Sequence, residues 1–306
     1  MARTWNAGNA VRAATFRKWY ARAWWIGLHV YGYVVLGYKG ALSPDALSMP
    51  QFVSSLVVAV VTISCYVVLQ CSSPGFIKKR TSVSPAIGQS TMPMTVNSPS
   101  PIPAAEDGVK TELLVEGSEH DLSGDSSDLH FCNDCHVFQP LRTKHCKDCD
   151  RCTRQYDHHC DCVGTCVGES NRRLFVLYLL LQSVEGAVMI GVTTSAISEA
   201  EDIDDWFKIN ALYLVLCFMI VCVLLMVVPL LGYQAFLIST NQTSWEHARR
   251  SSITYLQNLS DDRSPFDRGI LQNWWVFLSN GDSNKWVHES VPNPITSYDD
   301  DASSLV

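Results

Sequence analysis

Residues 132–166 read CNDCHVFQPLRTKHCKDCDRCTRQYDHHCDCVGTC, and this block holds eight of the chain's twelve cysteines. Two chemistries cluster cysteines, disulfide formation and metal ligation, and compartment divides them, because thiols facing the cytosol stay reduced. Histidines interleaved with CxxC pairs supply the donors of tetrahedral zinc, whereas a disulfide framework has no use for them. The block reads as zinc-folded, with a disulfide framework as the alternative.

Long apolar segments flank it on both sides. Upstream, Arg3, Arg12, Arg17, Lys18 and Arg22 form a basic terminus without an acidic residue, and residues 23–38 follow as an apolar, aromatic stretch. A secretory signal is the alternative there, but no small-residue cleavage site ends the stretch and a second span follows closely. Residues 52–71 carry no charge over a length sufficient for a bilayer core of about 30 Å. Downstream, residues 174–197 and 209–238 are two further spans, joined by an acidic link over 198–208. Positive charge gathers at the amino terminus, the central block and the carboxyl tail, which the positive-inside rule puts in the cytosol. Both termini and the cysteine block are therefore expected there, and the sequons at Asn241 and Asn258 are expected to stay unused.

Whole-chain averages hide this blockwise pattern. The 306 residues are 47% hydrophobic with mean hydropathy near zero at +0.06 and a net charge of −7. That charge, with no broad basic stripe, argues against nucleic acid as a partner. Residues 72–129 are rich in Ser, Pro, Thr, Gly and acid after Lys78, Lys79 and Arg80, and read as a disordered linker. Ser304-Leu305-Val306 suits a carboxylate-capturing, PDZ-type domain.

The cysteine block resembles the cysteine-rich domain of the DHHC family of protein S-acyltransferases, or palmitoyltransferases. Pro74-Gly75, Thr243-Ser244-Trp245-Glu246 and the run from Pro265-Phe266 to Asn273 carry weaker marks of that family. The resemblance implies two structural zinc ions. One would take Cys132, Cys135, His145 and Cys152, the other Cys146, Cys149, His159 and Cys166. It leaves Cys160 as a free nucleophile, with His158 as its base and Asp157 as the carboxylate orienting that base. The implied reaction is attack of Cys160 on the thioester of a long-chain acyl-CoA such as palmitoyl-CoA, then transfer of the acyl group to cytosolic cysteines of membrane-associated proteins.

Three departures from the family pattern stand out. Asp161-Cys162 replaces the usual Pro-Trp, Ser73 replaces Asp before Pro-Gly, and Ser244 replaces a Thr while keeping the hydroxyl expected to bond Asp157. Because of Asp161-Cys162, a non-enzymatic membrane scaffold stays open beside the enzyme, and a membrane-bound RING-like ligase is disfavoured by the missing last CxxC pair.

Arg142 and Lys144 are candidate contacts for the CoA phosphates, with solvated surface charge as the alternative. Glu185 falls inside the third span, where an ionisable side chain is costly. Two readings apply to it: a polar cap on the acyl cavity together with His29, or a buried acid bonded to Gln182 or Ser183. The expected architecture is an all-α integral membrane protein with four transmembrane helices and a cytosolic two-zinc domain between helices 2 and 3. Its parts are a cytosolic terminus 1–22, a hairpin 23–71, the linker 72–129, the catalytic domain 130–173, a hairpin 174–238 and a cytosolic tail 239–306. The short spans lean towards the thinner membranes of the endoplasmic reticulum and Golgi.

Overall fold

An uncharged run such as residues 52–71 can satisfy its backbone in lipid only by closing every hydrogen bond within itself, which makes it a helix. The computed structural model describes residues 2–79, 130–257 and 263–279, and there this run forms α2 (Met49–Cys71). Ser48 N–H donates to Gln51 Oε1 (3.2 Å) at its start, and Pro50 sits in its first turn, where no N–H is needed. The linker from residue 80 onward, the sequon at Asn258 and the terminal Ser304-Leu305-Val306 lie outside the described residues.

α3 (Arg172–Ser195) and α4 (Ile203–Ser239) are the other two helices long and apolar enough to cross a membrane among the described residues. Their outward faces are oily: Phe218 and Leu225 on α4 are 67% and 71% exposed, so lipid rather than protein covers them. The chain is thus a multi-pass helical membrane protein. α4 starts at Ile203, inside the stretch expected to be an acidic link. Asp204 and Asp205 fall in its first turn, where the positive end of the helix dipole favours carboxylates. α1 (Ala2–Tyr38) is a single helix across the expected boundary at residue 22. Its second half, rich in Trp, Tyr, His and Gly, is less apolar than the other three long helices, yet Trp25, Tyr31, Tyr33, Val35 and Leu36 pack into the bundle.

Between α2 and α3 the chain makes three short antiparallel hairpins: β1 (Phe131–Cys132) with β2 (Val137–Phe138), β3 (Lys144–Cys146) with β4 (Arg151–Thr153), and β5 (His158–Cys160) with β6 (Thr165–Val167). Strands of two or three residues hold no core of their own. Val163 and Val167 of the third hairpin instead pack with Cys65, Tyr66 and Leu69 of α2, Phe175 and Tyr178 of α3, and Val227 of α4. This cluster fastens the hairpins to the membrane bundle.

Pro74-Gly75 acts at the same seam. Gly75 O accepts from Arg154 N (3.0 Å), Ile77 N donates to Cys152 O (2.9 Å), and Phe76 bridges Thr153, so the segment after α2 lies along β4. Gly75 takes a φ of +94°, which favours glycine. Gly168 faces the seam from the other side. A Cβ there would lie 2.7 Å from Pro74 O and 2.9 Å from Arg154 O, both of them backbone atoms. Gly168→Ala is accordingly expected to cost ~2 kcal/mol by overpacking. A lowered thermal midpoint of the detergent-purified chain checks this, and an unchanged midpoint would mean that the seam can open.

Candidate active site and paired metal sites

Successive side chains of a strand point to opposite faces, and this alternation sorts the cysteine block. On β3, His145 faces one side and Cys146 the other. On β5, His159 faces one side, while His158 and Cys160 share the opposite one. The pairings His145↔Cys152 and His159↔Cys166 bring a second donor beside each histidine. CxxC turns complete both groups, with left-handed residues at His136 and Asp150.

Two Cys3His clusters able to hold metal ions result: Cys132, Cys135, His145, Cys152 and Cys146, Cys149, His159, Cys166, with the donor atoms of each within 4.8 Å of one another. In the first, His145 Nδ1 lies 3.5, 3.3 and 3.9 Å from the three sulfurs, and in the second His159 Nδ1 lies 3.5, 3.4 and 3.7 Å from its three. A tetrahedral ion with bonds of about 2.3 Å to sulfur and about 2.0 Å to nitrogen needs sulfur and nitrogen roughly 3.5 Å apart, so the donors fit. Cys149 and Cys166 stay 3.5 Å apart, far beyond a disulfide bond of about 2.05 Å.

Each histidine turns its other nitrogen to a carboxylate, which fixes the ring when Nδ1 is a ligand. His145 Nε2 is 3.5 Å from Asp134 and 3.8 Å from Asp150, and Lys79 pairs with Asp150. His159 Nε2 is 3.6 Å from Asp161 Oδ1, and these two buried atoms have no other protein partner. Asp161 Oδ2 in turn accepts from Arg17 Nε (3.0 Å) of α1, whose Nη2 reaches Asp148 (3.3 Å). The Asp161 departure thus has a structural place as a brace between α1 and the second cluster.

On the opposite face of β5, Asp157 is 1% exposed and heavily bonded. His158 Nδ1 meets Oδ2 at 2.7 Å, and Ser244 gives its N–H to Oδ1 (2.9 Å) and its hydroxyl to Oδ2 (2.8 Å). Gln234 Nε2 donates to Oδ2 (3.1 Å), and Arg172 Nε lies 3.3 Å from Oδ1. Burial alone would raise the carboxyl, but the Arg172 guanidinium and the bonds from His158 and Ser244 outweigh it and hold Asp157 well below the usual carboxylate range. An ionised Asp157 takes the Nδ1 proton of His158 as a hydrogen bond and leaves Nε2 free to accept another. Phe175 meets the His158 ring edge-on at 5.2 Å and limits its rotation.

Cys160 is half-buried against the apolar cluster of α2 and α3. The neighbouring Cys162 thiol, together with burial, pushes Cys160 up, while Cys160 in turn brings Cys162 down to about 7. Tyr66 O–H donates to Cys162 O (2.8 Å), pinning the turn to α2.

Arg142 departs from expectation. It is 3% exposed and left-handed (φ +64°), donates to both oxygens of Glu246 at 2.7 Å, donates to Asn241 as well, and lies over the Phe266 ring. A guanidinium so committed is not a surface contact for CoA phosphates. Glu246 also caps α5 (Ser244–Arg249), accepting from Thr243 N (2.8 Å), and the one-turn α6 (Thr254–Gln257) follows. Lys144 sits over the rings of Tyr156 (4.8 Å) and Trp245 (5.4 Å), and burial lowers its pKa.

Glu185 is buried at a pocket lined in part by His29, Gly32, Tyr33 and Gln182. Tyr33 O–H donates to it, Gln182 Nε2 lies at 3.4 Å and His29 Nε2 at 3.6 Å, so two of the three residues named from sequence lie beside it. Ser183 turns away to Leu179 O.

Sequence reasoning missed Arg172 and Gln234. The one signal available was a glutamine, Gln234, inside an otherwise apolar segment.

The sequence model of the family described as DHHC palmitoyltransferase matches residues 125–251. Protein S-acyltransferase 10 of Arabidopsis thaliana is 39% identical over 142 residues, covering 46% of this chain and 41% of that protein. Palmitoyltransferase ZDHHC12 of Homo sapiens is 35% identical over 158 residues, 52% of this chain and 58% of that one. Palmitoyltransferase ZDHHC14 of Mus musculus is 35% identical over 136 residues, 42% of this chain and 27% of that one. The chain spans less than two thirds of the length of each.

Asp161→Ala is expected to weaken the second metal cluster about tenfold, as loss of an outer-shell carboxylate does elsewhere. Metal transfer to a chromogenic chelator should accelerate for one of two ions only, and equal rates in variant and wild type would deny the brace.

Proposed function

We propose that this chain, which through residues 125–251 belongs to the DHHC palmitoyltransferase family, is a protein S-acyltransferase. It moves a long-chain acyl group from acyl-CoA to cysteines of membrane-associated proteins through an acyl-enzyme on Cys160. The observation that carries this reading is the division of β5. His159 turns into a metal cluster, while Cys160 turns the other way, on the face of His158 and against the apolar core of the bundle.

The chemistry follows from that face. Asp157, ionised and buried, holds the His158 Nδ1 proton, so Nε2 accepts the Cys160 proton as the sulfur attacks the thioester carbonyl. A thiol whose pKa is raised by burial needs such a base at the moment of attack. The CoA sulfur leaves and takes the proton from His158. In the second half the acceptor cysteine gives its proton to His158 and attacks the acyl-Cys160 carbonyl, and Cys160 leaves and is reprotonated. Thioester exchange is close to thermoneutral, so positioning at the membrane surface supplies most of what is needed.

Both Cys3His clusters are read as structural zinc sites, because a closed set of four ligands leaves no open position for catalysis. The second half of α1 is read as a fourth span, which puts both termini and the hairpins in the cytosol, in an endomembrane such as the endoplasmic reticulum or Golgi. Lys144, tethered over two rings, is the remaining candidate for the CoA phosphates. The cavity at Glu185 is read as the far end of the acyl slot, with Glu185, Tyr33 and His29 as a polar floor.

The first experiment incubates zinc-replete protein with an alkyne-tagged palmitoyl-CoA. Wild type should carry label that hydroxylamine releases, and Cys160→Ser should carry none. An unlabelled, zinc-replete wild type would leave a membrane scaffold in place of the enzyme. Glu185→Ala should shift the preferred acyl length, measured by competition among acyl-CoAs of different lengths. An unchanged preference would remove Glu185 from the slot.

A further inference from the structure

A second pocket, partly open to solvent, is lined by Arg172 but not by Asp157 and lies where the start of α3, the end of α4 and α7 (Ile270–Ser279) meet. Gln155, Glu169, Arg172, Arg173, Asn273 and Phe277 are among its lining residues. Two of them leave a buried polar atom without a hydrogen bond. The Arg172 side chain is 7% exposed. Its Nε serves Gln234 (3.2 Å) and Asp157 (3.3 Å), and its buried Nη2 has no protein partner. The Glu169 side chain is 6% exposed. Its Oε2 accepts from Arg154 Nε (2.5 Å), and its buried Oε1 has no protein partner. Both charges are paired, but a buried N–H and a buried carboxylate oxygen left without hydrogen bonds in the lining of one pocket are each costly unless something reaches them.

From this we infer that the cavity binds the phosphoethanolamine headgroup of a membrane lipid, its phosphate on Arg172 Nη2 and its primary ammonium on Glu169 Oε1. A free phosphate or a purely anionic headgroup would meet Arg172 but be repelled by Glu169. A choline headgroup carries no N–H to give Glu169. A primary ammonium beside a phosphate matches both groups at once.

α7 brings the cavity to lipid. Asn273 Nδ2 donates to Ser239 O (2.8 Å) and Trp274 Nε1 to Ser239 Oγ (3.0 Å), which lays α7 along the end of α4. Leu271, Trp275 and Leu278 form a single stripe on its other side and are exposed. An apolar stripe with a tryptophan, at the level where two membrane helices end, belongs in the headgroup region. The ligand would then lie one guanidinium away from the carboxylate that orients His158, so a lipid contact would stiffen Arg172 and with it Asp157.

The test needs no acyl transfer, so its outcome is independent of the proposed enzyme activity. Full-length, zinc-replete protein in detergent is offered an equimolar mixture of phosphatidylethanolamine, its mono- and dimethyl derivatives, phosphatidylcholine and phosphatidic acid, and native mass spectrometry reads the lipid retained. Phosphatidylethanolamine should exceed phosphatidylcholine about tenfold, the size of one charged hydrogen bond, and retention should fall along the methylation series. Glu169→Gln should remove that preference while leaving phosphatidylcholine retention unchanged. If the variant does not fold, the methylation series on wild type still decides. Equal retention of all lipids, no retained lipid (ordered water alone fills the cavity), or displacement of the lipid by millimolar inorganic phosphate would each overturn the proposal.

Discussion

The Asp157 carboxylate is the interaction on which the rest of this structure depends. It is buried and takes bonds from the hairpin itself (His158), from α5 (Ser244) and from α4 (Gln234), with the Arg172 cation of α3 beside it. A charge in that position is tolerated only because every lone pair is answered, and removing a partner from such a site leaves an uncompensated buried charge. One side chain therefore both orients the imidazole and sets where the three hairpins sit on the membrane bundle. The orientation of His158 and the docking of the hairpins rest on the same contacts.

A second buried pair repeats the arrangement at lower catalytic stake. Arg142 from the turn before β3 and Glu246 from α5 form a bidentate bond that Tyr255 completes (2.9 Å). The short strands cannot stabilise themselves by apolar burial. Metal-donor clusters inside and ion pairs at the borders take that place, and the outer carboxylates Asp134, Asp150 and Asp161 extend the ion pairs out to Lys79 and Arg17 at the membrane edge. Asp161, which looks like a lesion when set against the family pattern, has two partners.

Inside the bundle a polar chain runs from the Glu185 cavity towards the active-site turn. Glu185 is bonded by Tyr33 and Gln182, Gln182 accepts from Trp25 and Tyr178, and Trp25 stacks on Tyr66, whose hydroxyl holds Cys162 O. Polar groups in a membrane interior satisfy one another because no water is at hand. This leaves aromatic rings between the cavity and Cys160, walls suited to an apolar chain.

What the sequence determined by itself was local and periodic. Long apolar runs gave α2, α3 and the apolar stretch of α4, because a helix satisfies its own backbone hydrogen bonds in lipid. CxxC spacing marked the metal donors, and the family resemblance gave their partition into two sets, which strand alternation then realises. Folding alone decided which partners meet across distance. Arg142 reads as a free surface cation until Glu246, 104 residues away, is seen to hold it. Arg172 reads as a flank of α3 until it is found against the buried Asp157. Arg17 reads as a membrane anchor until it meets Asp161, 144 residues on. The physical reason is that hydropathy and spacing are properties of neighbours along the chain, whereas the pairing of a buried charge depends on which elements tertiary packing brings together.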